Sequence, residues 1–180
     1  MPNPLDRLVS CYNNKVMENP KVNERLRSMG VRSRMEFGEF VERICPVKDS
    51  RTEIHLCSQH FSLSHRNRLV VPVVARFENL AEDFEYIREN LARATGRDIP
   101  ALPQKNVRRS RSDDYMDFFR DRGLLRLAVR RYRKDFEWFY PNELRAVGLT
   151  NPTSLLMPAR LTVLKRRLGR TLRARRGASS

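Results

Sequence analysis

The chain has 180 residues, 40% of them apolar and 32% charged, and its nine Phe, five Tyr and one Trp exclude a wholly disordered polymer. A net charge of +15 and a pI near 10.8 favour polyanionic partners such as nucleic acid, an anionic membrane, acidic glycans or a phosphorylated cofactor. Three cysteines without a CxxC spacing, and the lack of any apolar run of about 18 residues, argue against a zinc or disulfide scaffold and a membrane span.

Leu5, Leu8, Val9, Tyr12 and Val16 share one face of a 3.6-residue period and predict an opening helix. Asn3 is its N-cap, Pro4 suits the first helical position, Asp6 faces the positive end of the dipole, and Asn19-Pro20 ends it. A second helix is expected over residues 34 to 45, where Phe37, Phe40, Val41 and Ile44 repeat before Pro46. Val47 to Arg68 reads as a long loop holding His55, His60 and His65, whose spacing of five does not place two imidazoles on one helix face. The β-branched run that follows predicts a buried strand from Val73 to Phe77. Asn79 and Glu82 then resemble a capping box, opening a helix with Leu80, Phe84, Ile87 and Leu91 on one face.

Gly96, Pro100 and Pro103 mark a connector, followed by the basic cluster Arg108, Arg109 and Arg111. A helix should begin near Ser112 or Asp113, and Leu125, Val129, Tyr132, Phe136 and Phe139 predict a long amphipathic one. Beyond residue 150 come Arg160, Lys165, Arg166, Arg167, Arg170, Arg173, Arg175 and Arg176 with no acid, so this stretch holds +8 of the +15. With Leu161, Leu164, Leu168 and Leu172 opposite, it reads as a partly helical or disordered basic tail able to hold an anionic partner nonspecifically.

Three blocks resemble the sulfotransferases that use 3′-phosphoadenosine 5′-phosphosulfate (PAPS). Asn3-Pro4-Leu5-Asp6-Arg7-Leu8-Val9-Ser10-Cys11-Tyr12 is similar to that family's 3′-phosphate motif, Arg-x-Pro-x-x-Arg-x-x-Ser-x-Tyr, with Pro2 in place of the first arginine. Such a motif offers a phosphate dianion a cation and a hydroxyl at the exposed start of a helix. Arg76-Phe77-Glu78-Asn79-Leu80, leading to Asp83-Phe84, resembles the family's strand-to-helix corner. Tyr132-x-x-Asp135-x-x-x-Phe139 resembles its closing helix, and His55 resembles the histidine of a His-aromatic segment in the carbohydrate branch.

The resemblance implies a partial three-layer α/β domain of the P-loop-like sulfotransferase type over residues 1 to 150, predominantly helical, with the tail at 151 to 180. It implies sulfonate transfer from PAPS to a hydroxyl, on a carbohydrate, without a metal. Ser10, Arg7, Arg108 and Arg109 are the donor-binding residues it points to, with PAPS or adenosine 3′,5′-bisphosphate as ligand. Glu78 and Asp83 are expected to pair and cap the corner, and no residue is singled out as catalytic base. The family's strand and glycine-containing loop for the 5′-phosphosulfate do not precede Asn3, so the reading is of an N-terminally truncated chain that either lacks activity or starts inside a longer gene. Reduced thiols point to a cytoplasmic setting, and a truncated start leaves room for an upstream membrane anchor. The alternative is a basic nucleic-acid-binding or acidic-glycan-binding protein without catalysis.

Overall fold

Residues 1–102 and 114–146 are described by the structure, a computed structural model. Helix α1, Pro4–Tyr12, starts where the sequence places it: Asn3 caps it by accepting the Leu5 N–H at 2.9 Å, and Leu5, Leu8, Val9 and Tyr12 are buried. It continues into a π-helical turn, Asn13–Met17, that buries Val16. The short α2, Glu24–Ser28, has no counterpart in the sequence reading. Asn23 caps it through the Leu26 N–H at 2.8 Å, and Gly30 ends it at φ 80° with its N–H on Arg27 C=O.

Helix α3, Phe37–Ile44, buries Phe37, Phe40, Val41 and Ile44, with Phe37 packed on Tyr12, Phe118 and Phe119 and Phe40 on Tyr12. Fully burying a side chain of this size is worth about 1.5 to 3 kcal/mol, so this cluster is the energetic centre of the fold. The Tyr12 hydroxyl, buried with its ring, donates to Met35 C=O at 2.8 Å.

The segment read as a loop is more structured than expected. It contains two 3₁₀ turns at Asp49–Arg51 and Ile54–Leu56, then α4, Gln59–Leu63, and a hairpin of β1, Ser64–His65, with β2, Arg68–Leu69. These two antiparallel strands are the whole sheet among the described residues.

The predicted strand from Val73 to Phe77 does not form. Val73 is exposed and residues 74–76 are half-buried, because a strand exists only as a paired ladder and, among the described residues, the only backbone bonded to this stretch is that of Met1. The helix after it is present as α5, Leu80–Thr95, although Asn79 makes no side-chain cap and none of its residues is buried. Asp83 instead reaches back to the Arg76 N–H at 2.8 Å.

A 3₁₀ segment, Asp114–Phe119, leads to α6, Arg122–Arg131, α7, Arg133–Phe139, and α8, Pro141–Ala146. The expected long helix is thus broken at Tyr132, whose φ of −103° and ψ of 22° leave the helical region. Val129, Tyr132, Phe136 and Phe139 nonetheless all face the core. Among the described residues no helix is long and apolar enough to cross a membrane.

Candidate functional site

The solvent face of α1 presents Ser10, which is exposed. The start of the same helix is closed, contrary to the expectation of an exposed one. Asn3, Pro4 and Leu5 are buried, and the Asn3 N–H donates to the Glu78 carboxylate at 2.9 Å. That carboxylate also accepts from the Tyr140 hydroxyl at 3.0 Å, so negative charge already sits beside the positive end of the helix.

Arg7 turns inward. Its guanidinium donates to Cys57 C=O at 2.6 Å, lies 3.8 Å from the Asp135 carboxylate and sits over the Tyr132 ring at 5.4 Å. Ser10 and Arg7 are one turn apart but share no hydrogen-bond partner among the described residues. Arg108 and Arg109 lie outside the described residues, as does the basic tail.

What Arg7 helps to hold is the segment 53–60, in which residues 56 to 60 are each gripped from elsewhere in the chain. The Tyr132 hydroxyl donates to Leu56 C=O at 3.0 Å, and Asp135 accepts from the Gln59 and His60 N–H groups at 2.8 and 2.6 Å. Asp49 accepts from the Ser58 N–H and hydroxyl at 2.7 and 2.8 Å and pairs with Arg131 at 2.6 Å. Burial raises the Asp49 carboxyl, but Arg131 and Ser58 together bring it below the usual carboxylate range. For Asp135 burial prevails and pushes the carboxyl up, against the two backbone donors and Arg7.

The tip of this segment carries a paired carboxylate and imidazole. Glu53, with its side chain only 6% exposed, accepts the His55 N–H at 2.7 Å and meets His55 Nδ1 at 2.7 Å, while the His55 side chain is 57% exposed. With Nδ1 held by Glu53, Nε2 is the ring nitrogen left for a bound molecule. Sequence reasoning reached His55 only by resemblance and missed Glu53, Asp49, Ser58 and Arg131. A buried Glu two residues before a histidine is ambiguous in sequence, because the same spacing also caps a turn.

The other histidines differ. His65 is an exposed residue of β1, and His60 is buried edge-on against Trp138, 4.8 Å between centroids, with Nε2 unpartnered among the described residues. Burial, helped by Lys134, lowers the His60 pKa against the opposing influence of Asn67, Asp49 and Glu137. The unfolded chain therefore binds the extra proton first as pH falls below 6.5, and stability should drop through the window between that value and the folded pKa. Urea unfolding at pH 7.5 and 5.5 should show that drop, and His60→Phe should flatten it. An unchanged slope in the variant would assign the drop to other groups, such as the Met1 ammonium, which burial also lowers.

Burial pushes the Cys11 and Cys45 thiols up to about 12 and raises that of Cys57, so none is a ready nucleophile. Two basic grooves flank α2. One, of about 560 Å³, is lined by Arg25, Met29, Lys48 and Arg51, and the other by Lys21, Arg27, Val31 and Arg32.

The sequence profile described as Sulfotransferase family matches residues 2–141. No curated protein and no solved structure matches the chain.

Proposed function

Because this chain belongs to the sulfotransferase family, whose chemistry is sulfonate transfer, we propose that residues 1–150 are built around PAPS as donor and a carbohydrate hydroxyl as acceptor. Residues 151–180 are then a basic extension. The observation that carries this reading is the clamped segment 53–60 presenting His55 beside α1.

In this scheme the Ser10 hydroxyl donates to the 3′-phosphate of the donor, and Arg7 fixes α1 against the segment that carries His55. Arg108 and Arg109 are the further cations for the nucleotide. The acceptor oxygen attacks sulfur in line as the bond from sulfur to the bridging oxygen breaks, releasing adenosine 3′,5′-bisphosphate. The acceptor proton passes to His55 Nε2, with Glu53 stabilising the imidazolium through Nδ1–H. Holding the sulfonate end needs a strand, a glycine-containing loop and a helix, and the described residues contain no such unit. Their first glycine, Gly30, is the cap of α2. The cationic grooves beside α2 favour a second reading, a noncatalytic binder of acidic glycans.

Calorimetry tests the donor half. Adenosine 3′,5′-bisphosphate should bind more tightly than 5′-AMP, by roughly tenfold or less, equivalent to about 1.4 kcal/mol, because Pro2 replaces the first arginine and the site is open to water. Ser10→Ala should erase that preference. Equal binding of both nucleotides, or a preference that survives Ser10→Ala, removes Ser10 from the donor site. Arg7→Ala is a poor probe, since it unties Cys57 and Asp135.

A further inference from the structure

Arg7 is the cation that the phosphate motif marks, and the fold commits it to Cys57 C=O and Asp135. A second cation lies further along the same helical rod. Lys15 sits inside the π-helical turn, Asn13–Met17, that continues α1, and the Glu18 N–H that closes this turn reaches Asn13 C=O at 2.9 Å. Spaced by four, Arg7, Cys11 and Lys15 would drift around a regular α-helix. The wider π-turn sets that drift back and keeps Lys15 on the side of Arg7 and Cys11, and such turns recur at functional sites.

That side faces segment 53–60. Arg7 bonds to Cys57 from it. The Cys11 thiol, pushed up chiefly by burial, also feels Glu53, which raises it, and Arg7 and Lys15, which lower it. Lys15 and Glu53 are thus neighbours of one sulfur atom, yet they do not pair, because both oxygens of Glu53 are engaged by the His55 N–H and Nδ1, each at 2.7 Å. Lys15 is half-buried and has no hydrogen-bond acceptor or ion pair among the described residues. Desolvating an ammonium without an acceptor is costly, so one left open beside a carboxylate–imidazole pair is complementary to an anion that arrives from outside.

We propose that Lys15 is a ligand-binding cation of this site, receiving an oxyanion of a sulfonate or phosphate group beside the Glu53–His55 pair. The inference rests on the sulfotransferase reading for the chemistry of that ligand. It moves the cationic role within the motif region from Arg7, whose guanidinium is structural, to the π-turn.

The probe is inorganic sulfate, titrated into the full chain at constant ionic strength and read on the His55 ring resonances. Sulfate should shift them, and Lys15→Met, which keeps the apolar stem and removes the charge, should weaken binding about fivefold or more. Lys15→Arg should stay within about twofold of the wild type, because it restores the charge. Arg120→Ala, which removes an exposed cation paired with Asp117, should change nothing. Sulfate that binds Lys15→Met as tightly as the wild type, that leaves the His55 ring unshifted, or that Arg120→Ala weakens as much as Lys15→Met overturns the proposal. If Lys15→Met fails to fold, Lys15→Gln decides in its place. Sulfate binding that needs Lys15, in a chain that binds 5′-AMP as well as adenosine 3′,5′-bisphosphate, upholds the cation and sinks the donor reading alone.

Discussion

Replacing Asp135 by Ala should cost the fold about 3 to 5 kcal/mol, the range for breaking a buried pair on one side. The carboxylate is wholly buried, takes two backbone N–H groups of segment 53–60 and faces Arg7. Its loss leaves two N–H groups without an acceptor and Arg7 without a counter-charge. Asp135→Asn, which keeps an acceptor oxygen, should cost less, about 1 to 3 kcal/mol. Urea midpoints of the two variants against the wild type measure both. A loss below about 1 kcal/mol for Asp135→Ala would mean that the segment is held without it.

The second large effect is expected at Tyr132, where Tyr132→Ala should cost about 3 to 5 kcal/mol for the cavity alone. The ring is buried, and the guanidinium groups of Arg7 and Arg131 both lie over it, at 5.4 and 5.3 Å. Tyr132→Phe isolates the hydroxyl bond to Leu56 C=O and should cost about 1 to 3 kcal/mol. Because Tyr132 and Asp135 hold the same segment, the double variant should lose less than the sum of the two singles. Full additivity in urea unfolding would show that the two grips act independently.

The helical parts were legible because periodicity and caps agree. Asn3, Pro4 and the spacing from Leu5 to Val16 locate α1 closely, and Phe37 to Ile44 locate α3. The break at Tyr132 was invisible, since Val129, Tyr132, Phe136 and Phe139 keep their phase across it. Val73 to Phe77 reads as a buried strand because its composition reports preference, whereas forming a strand depends on a neighbour that sequence-local reasoning does not see. Of the candidate site, Ser10, Arg7 and His55 are singled out in the sequence only through motif resemblance. Asp49 and Arg131 are not, because they pair across 82 residues of chain, and Glu53 is not, because a Glu two residues before a His also caps a turn. Arg7 is the instructive case: the motif marks it as a phosphate ligand, while its geometry shows a cation committed to a backbone carbonyl and a buried carboxylate.

Among the described residues, the core draws its buried members from Leu5 to Leu56 and from Phe119 to Leu144 and skips those between. The Met1 carbonyl itself receives the hydroxyl of Tyr140 at 2.6 Å, 139 positions along the chain. Such a closure sets a schedule for synthesis. At about 5 to 20 residues per second, Tyr140 is made roughly 7 to 28 s after Met1. Until then the Met1 carbonyl lacks the Tyr140 hydroxyl, so the corner where α1 begins is secured only once α7 has been made.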